Sequence, residues 1–270
     1  MNIAILDLYD GRPNEGMRCI KMLCDQFLSQ EGIGGGYDIF DVRQKNEIPD
    51  INEYQIFIST GGPGSPLPEG HVWEKKFNDF IDSIFEYNQQ NEVKKYLFLI
   101  CHSFQIASNH LGFGEVCKRR STSFGVMPIH RTEDGESEPL FDKLPELFFA
   151  VDSRDYQLIQ PNWKKINAFG AKILCLEKER PYVPLERAVM AIRFSNEVFG
   201  TQFHPEADSE GMMHYFKQPE KMLAVIKEYG SDKYEEMIDR LDDPDKIMLT
   251  ESVIIPTFLR NAAENILELA

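Results

Sequence analysis

One cysteine and a distant histidine–carboxylate pair stand out among the reactive side chains of this sequence. Cys101 directly follows the apolar run Leu97–Ile100, and His204 and Glu206 follow a second apolar run far along the chain. A thiol beside a histidine base, with a carboxylate to orient the base, is the arrangement of a nucleophile for acyl transfer. Taken singly, each residue also has a plain interpretation, because free cysteines are often buried and isolated histidines are often structural.

The segment around Cys101 predicts a strand followed by a helix. Tyr96–Ile100 is apolar throughout, as expected of a parallel strand covered on both faces, and a helical pattern begins at Ser103. Cys101 would then lie at the carboxyl end of the strand. There the positive N-terminus of the helix favours a thiolate, and its free N–H groups are available to an oxyanion.

The segment before His204 predicts a second strand. Val198–Phe203 is rich in apolar and β-prone residues and leads directly to His204. Because residues two apart on a strand point the same way, Glu206 is expected on the side of His204. The carboxylate would hold the imidazole in one tautomer.

A third strand, predicted at Gln55–Ser59, runs into the glycine- and proline-rich loop Thr60–Pro66. Glycines at this point let a backbone N–H approach a substrate oxygen closely, and prolines restrict the loop to few conformations. The loop is a candidate oxyanion donor. An ordinary glycine–proline turn is the alternative interpretation.

The three segments together resemble a class I (triad) glutamine amidotransferase domain. The matching motifs are Thr60–Ser65, Cys101 with Gln105, and Gly200–Glu206, in this order and at these distances. The resemblance covers about residues 1–215 and is to a stand-alone protein similar to the amidotransferase of GMP synthase.

The resemblance implies a role for each matched residue. Cys101 would be the nucleophile, His204 its base and later acid, and Glu206 the orienting carboxylate. The resemblance implies neither a cofactor nor a metal. The other implied site residues are the backbone oxyanion donors Gly62 and His102 and the substrate-binding residues Gln105 and Gly61.

The sequence departs from the family pattern in two places. The family usually has glycine two residues before and two residues after the cysteine, whereas this chain has Leu99 and Ser103. Leucine there resembles the cysteine turn of homoserine acyltransferases, which use the same triad on acyl-CoA. A segment that carries histidines in many amidotransferases reads Val-Asp-Ser-Arg-Asp at 151–155, so glutamine need not be held in the usual way.

Alternating strand and helix patterns predict an α/β fold. We expect a flavodoxin-like, mostly parallel sheet with helices on both faces over residues 1–215, and a C-terminal helical extension packed on it over residues 216–270. The polar run 131–138 is expected to be an exposed loop. Strands are predicted at 2–8, 37–42, 55–59, 96–101, 124–129, 147–151, 171–176, 188–194 and 198–203, and C-terminal helices at 221–229, 233–241 and 253–269.

Composition narrows the possible partners and location. A net charge of −15 repels phosphate backbones and anionic lipid surfaces, so neither nucleic acid nor a membrane is an expected partner. The five cysteines are odd in number and show no paired metal-ligand spacing, which argues against both a disulfide scaffold and a zinc site. We therefore expect reduced thiols in a cytoplasm. The expected ligand is a small molecule, glutamine or a γ-glutamyl compound, and a synthetase or acceptor subunit is a possible partner.

Three functions remain open from the sequence. The first is a glutaminase-type enzyme that hydrolyses a side-chain amide through a thioester, releasing ammonia or passing it to a partner. The second is a homoserine-type O-acyltransferase with the same triad, supported by Leu99. The third is a non-catalytic interaction protein on this fold, with residues 216–270 as its binding surface.

Overall fold

A single sheet forms the centre of the fold. The computed structural model describes residues 1–182, 184–241 and 243–269. Its strands are β1 (Asn2–Asp7), β2 (Gly36–Asp41), β3 (Ile56–Ser59), β4 (Tyr96–Ile100), β5 (Glu115–Arg131), β6 (Leu147–Ile159), β7 (Lys172–Glu177), β8 (Val189–Arg193) and β9 (Val198–Thr201). Within the described ranges the strands lie in the order β2-β1-β3-β4-β9-β8-β7-β5-β6.

Strand direction divides the sheet into two parts. From β2 to β9 neighbouring strands run parallel, and from β9 to β6 they run antiparallel. In the parallel part, β4 is buried at every position, as predicted for a central strand. The carboxyl ends of β1, β3, β4 and β9 therefore meet at one edge, where ligands of such sheets bind.

Helices cover both faces of the sheet. They are α1 (Glu15–Leu28), α2 (Val72–Gln90), α3 (His102–Leu111), α4 (Glu133–Glu136), α5 (Trp163–Phe169), α6 (Ser209–Lys217), α7 (Pro219–Tyr229), α8 (Ser231–Leu241) and α9 (Leu249–Glu268), with a 3-10 turn at Pro139–Phe141 and a π-helical turn at Pro244–Met248. Ile5 of β1 packs in one core with Ile20 of α1 and Phe258 of α9, whereas Leu6 packs in the core on the opposite face with Phe77 of α2. This alternation along β1 follows from the two-residue period of a strand. The predicted α/β sheet with helices on both faces is confirmed.

The C-terminal helices contact two different parts of the molecule. Phe216 of α6 and Met237 of α8 pack against Val126 of β5 and Val151 of β6. By contrast, α9 packs on the central sheet, where the ring of Phe258 lies 5.1 Å from the ring of Phe98. The division of the chain into a domain over residues 1–215 and a helical extension over residues 216–270 stays a prediction.

Two local predictions differ from the structure. The hairpin of β5 and β6 is longer than the predicted strands, since Glu115 already pairs with Ile159. The polar residues at 115–123 concealed this part of β5, because they lie on an irregular and largely exposed stretch. The run 131–138 is also not an exposed loop throughout, because it contains α4 and because Glu138 is buried against Arg193, whose Nε donates to Glu138 Oε2 at 2.6 Å.

Candidate functional site

Cys101 lies on a strained turn between β4 and α3. Its backbone has φ 49° and ψ −95°, a positive φ that non-glycine residues seldom adopt. The Cys101 N–H donates to the carbonyl of Thr201 at 2.7 Å, which ties the turn to the end of β9. Because α3 begins at His102, its first N–H groups lack acceptors within the helix and lie next to the sulfur.

The two residues that replace the family's glycines around Cys101, Leu99 and Ser103, are both buried. The Ser103 hydroxyl accepts from the Ile100 N–H at 2.9 Å and lies 3.0 Å from the carbonyl of Ser59, so it braces the turn. Leu99 is buried in the core beside Gly200 of β9. A Cβ built on Gly200 would lie 2.9 Å from the Phe104 ring, 3.0 Å from the Phe194 ring and 3.3 Å from the Leu99 Cβ, so this glycine leaves room mainly for the two rings.

His204 and Glu206 are positioned by a bridge to β6. The His204 N–H donates to the carbonyl of Val151 at 2.8 Å. The His204 Nδ1 lies 2.9 Å from Oε1 of Glu206, which is fully buried. Cys101 is close enough for its charge to raise the pKa of the imidazole. With Nδ1 taken by the carboxylate, Nε2 is the nitrogen that remains for the sulfur. Cys101, His204 and Glu206, the three residues named from the sequence, therefore lie at the ends of β4 and β9, and their catalytic roles stay predictions.

The surroundings of His204 favour its charged form. Burial alone disfavours an imidazolium, but Glu206 and Cys101 together outweigh burial and raise the pKa of His204 well above its ordinary value. A protonated imidazole beside a thiolate is an ion pair suited to nucleophilic attack followed by proton donation.

The glycine-rich loop packs directly against these side chains. A Cβ built on Gly61 would lie 2.9 Å from Cε1 of His204, and one built on Gly62 would lie 2.4 Å from the carbonyl oxygen of Leu8. Both positions therefore require glycine. Arg43 fixes the loop by donating from Nη1 to the carbonyl of Pro63 at 2.5 Å.

The His102 side chain is excluded from acid–base work. Burial, with a smaller effect of Arg43, lowers the pKa of His102 to about 3, so its imidazole is neutral. Only its backbone N–H is suited to a role at the thiol. The oxyanion roles of Gly62 and His102 stay predictions.

Gln105 reaches Cys101 through another glutamine. Its Nε2 donates to Oε1 of Gln202 at 2.8 Å and to the carbonyl of Tyr156 at 3.0 Å. The Gln202 Nε2 lies 3.6 Å from the Cys101 sulfur. Sequence reasoning missed Gln202, which directly follows the end of β9 at Thr201. Direct contact of Gln105 with a substrate stays a prediction.

A carbonyl of β6 also reaches the sulfur. The Ser153 oxygen lies 3.7 Å from Cys101 Sγ. On either side of Ser153, Asp152 and Arg154 belong to a buried ionic network. Arg154 Nε donates to both carboxylate oxygens of Asp152, at 2.9 and 3.0 Å. Arg154 Nη2 lies 3.3 Å from Oε1 of Glu177. Asp152 and Arg154 of this network belong to the segment 151–155, which resembles a segment that carries histidines in many amidotransferases.

No group of three histidine, cysteine, aspartate or glutamate side chains in the described ranges is arranged to hold a metal ion. The same ranges contain no helix with the length and apolar character needed to cross a membrane.

Comparison with known proteins identifies relatives of this fold. The family model "Glutamine amidotransferase class-I" matches residues 28–219, which is more than half of the chain. A search of curated protein sequences found no match.

Solved structures similar to the chain include three with amidotransferase-related descriptions. A glutamine amidotransferase from Thermotoga maritima superposes with a TM-score of 0.67 at 15% identity, covering 97% of this chain and 98% of that one. A protein described as a GMP synthase component from Thermoplasma acidophilum gives 0.53 at 17% identity, over 77% and 85%. The glutaminase domain of Trypanosoma brucei CTPS with bound acivicin gives 0.58 at 13% identity, over 97% and 93%.

Proposed function

Because the chain belongs to the class I glutamine amidotransferase family, we propose that it hydrolyses the side-chain amide of glutamine or of a γ-glutamyl compound through Cys101, His204 and Glu206. The observation that carries the proposal is the pairing of His204 with the buried Glu206 beside the strained turn of Cys101. Membership of the family supports hydrolysis of a glutamine amide in general. The proposal adds that Cys101, His204 and Glu206 carry out this reaction.

In the proposed reaction, the Cys101 thiolate attacks the amide carbon and the His204 imidazolium protonates the departing nitrogen. Water then attacks the thioester while His204 accepts its proton, which releases the acid and restores the thiol. Backbone N–H groups of Gly62 and His102 would stabilise the oxyanion, each contributing about 10²- to 10³-fold in rate. The acid–base role of His204 would contribute about 10²- to 10⁴-fold.

Gln202 and Ser153 would assist by position. The Gln202 amide and the Ser153 carbonyl lie 3.6 and 3.7 Å from the sulfur, so they restrict where the thiol points and where the substrate enters. Gln105 would contact the bound glutamine, or hold Gln202 in place, with Gly61 leaving room for the substrate.

We also propose a cytoplasmic location with reduced thiols, since all five cysteines are unpaired. Ammonia would be released or passed to a synthetase or acceptor subunit. The net charge of −15 favours neither nucleic acid nor an anionic membrane as partner.

The test is ammonia release from L-glutamine and from γ-glutamyl amides by the wild type, Cys101→Ala and the control Cys117→Ala. We expect turnover by the wild type and Cys117→Ala, and none by Cys101→Ala. Acyl-CoA-dependent thioester formation without amide hydrolysis would indicate an acyltransferase instead.

Alkylation of the thiols separates the remaining outcomes. Burial raises the pKa of Cys19 and Cys24 to about 12, so neither is a fast-reacting thiol. Rapid labelling of Cys101 without turnover would point to a subunit that needs its acceptor partner. Labelling of Cys101 no faster than that of Cys117, again without turnover, would favour a non-catalytic interaction protein.

A further inference from the structure

A cavity of about 590 Å³ lies beside the histidine of the candidate site. It is enclosed by the start of α1, the middle of β6, the segment after His204 and the first turns of α6. His204 and Ser153 line this cavity, and both also contact Cys101. Cys101 itself is not among the lining residues, so it is through His204 and Ser153 that the cavity adjoins the place where an amide would be attacked.

The cavity lies on the leaving-group side of the site. In the proposed reaction the departing nitrogen takes its proton from His204, so it must lie next to that imidazole. Gly61 and Gly62, which carry the candidate oxyanion donor, are not among the residues that line the cavity. A substituent on the departing nitrogen would extend into the cavity.

The cavity is too large for ammonia alone. A small molecule such as water occupies roughly 30 Å³ in the liquid. The cavity volume instead falls within the range of about 300 to 1,000 Å³ that is typical of sites for small organic ligands. Space alone thus favours an amide whose nitrogen carries a substituent.

The charges around the cavity favour a cationic substituent. Glu15, Glu206 and Asp208 contribute carboxylates to its lining, and no lysine or arginine of the described chain does so. Arg18, outside the lining, pairs with both Glu15 and Asp208, and the protonated His204 in the lining pairs with Glu206. Three carboxylates against these two cations leave one net negative charge around the cavity. Phe124 adds an aromatic surface on which a cation can rest.

We propose that the cavity binds the N-substituent of a γ-glutamyl amide, and that this substituent is an aliphatic chain ending in a positively charged amine. The inference rests on the proposed function. The carbon–nitrogen bond breaks as the Cys101 thioester forms, the released amine keeps the proton from His204, and water cleaves the thioester to free glutamate.

The first test compares four substrates with the wild-type protein: L-glutamine and its N-(4-aminobutyl), N-pentyl and N-(3-carboxypropyl) derivatives. The kcat/KM for the aminobutyl amide is expected to be at least tenfold higher than for the pentyl and carboxypropyl amides and for L-glutamine. Equal or higher kcat/KM for glutamine or for the carboxypropyl amide overturns the inference.

Variants test the charge and the space separately. Glu15→Gln removes a carboxylate from the cavity and is expected to lower the aminobutyl-to-pentyl ratio of kcat/KM at least threefold. Glu86→Gln removes the same charge from an exposed position on α2 outside the cavity and is expected to leave that ratio unchanged. Met212→Trp fills the cavity and should lower the aminobutyl-to-glutamine ratio. Unchanged ratios of kcat/KM in both Glu15→Gln and Met212→Trp would contradict binding of the N-substituent in this cavity.

Binding to Cys101→Ala distinguishes failure of the inference from failure of the proposed function. If no amide is hydrolysed, the proposed function fails, but calorimetry still tests the cavity. We expect the aminobutyl amide to bind this variant at least tenfold tighter than the pentyl amide. Equal or weaker binding of the aminobutyl amide overturns the inference whatever the turnover.

Discussion

His204 depends on Glu206 for both its orientation and its charge. The carboxylate holds Nδ1 at 2.9 Å and raises the pKa of the imidazole against the effect of burial. Since protonation of the departing nitrogen needs an imidazolium, the proposed rate should fall as the pH rises through the pKa of His204. The pH dependence thus reports directly on this pair.

Replacement of Glu206 by glutamine is predicted to lower kcat about 10²- to 10⁴-fold, in the range of one acid–base function. Without the carboxylate the pKa of His204 should fall, so the alkaline limb of the kcat profile should move to lower pH. Steady-state amide hydrolysis across pH 5 to 10 measures both effects. Glu210→Gln, close by on α6, is the control and should match the wild type. An alkaline limb that does not move would contradict the role of Glu206.

Strand β6 is held behind the site by charges from its neighbours. Oε1 of Glu177, at the end of β7, lies 2.6 Å from Nη2 of Arg180, 3.0 Å from Nη2 of Arg119 and 3.3 Å from Nη2 of Arg154. Burial would raise the pKa of Glu177, but these arginines outweigh it and lower the pKa to about 2. The network fixes the backbone around Ser153, whose carbonyl faces the thiol.

Glu177→Gln is predicted to cost about 3 to 5 kcal/mol at neutral pH, because it removes the carboxylate that Arg119, Arg154 and Arg180 share and leaves Asp152 to pair with Arg154. The folded protein keeps Glu177 ionised down to about pH 2, whereas the unfolded chain protonates it near 4.5. Its contribution is therefore complete above pH 4.5 and is lost as the pH falls towards 2.

Urea midpoints measured from pH 7 to 3 test this prediction. The difference between wild type and Glu177→Gln should narrow below pH 4.5. Glu179→Gln, at an exposed ion pair, should differ little from the wild type at any pH. A difference that stays constant down to pH 3 would mean that shape, and not charge, stabilises this region.

Helix α9 is predicted to be a structural part of the central core. Phe258 is 3% exposed and its ring packs 5.1 Å from that of Phe98 on β4. Phe258→Ala should lower the free energy of unfolding by about 3 to 5 kcal/mol. Leu267→Ala, on the same helix but 54% exposed, should change it by less than about 0.5 kcal/mol. Equal effects in denaturant unfolding would contradict the packing of α9.

The packing of the C-terminal helices determines how the chain behaves when shortened. Residues 216–270 cover the β5–β6 hairpin through α6 to α8 and the sheet through α9. A chain of residues 1–215 is therefore predicted to lack a cooperative transition, since both apolar surfaces would be left open to water. Calorimetry measures whether the shortened chain unfolds in a cooperative transition, and near-ultraviolet circular dichroism measures whether its aromatic side chains are ordered. A sharp transition with native-like aromatic signals would instead show that residues 1–215 fold alone.

The candidate site was predictable because its determinants are short-range. Apolar runs of strand length ending at Thr60, Cys101 and His204 identify three strand ends, and parallel strands bring their carboxyl ends to one edge of a sheet. Glu206 lies beside His204 as expected, but a turn and not a strand brings them together, because β9 already ends at Thr201. Local pattern and the geometry of a parallel sheet suffice for the positions of the strand ends.

Other features depended on residues that are far apart in the chain. The contacts of Gln202 and Ser153 with the thiol, and the burial of Glu138 by Arg193, follow from the packing of segments far apart in the sequence, which local periodicity does not specify. The cavity beside His204 exists only because α1 and α6 meet around the end of β9. Local pattern fixes which residues end the strands, whereas packing between distant elements decides what surrounds them.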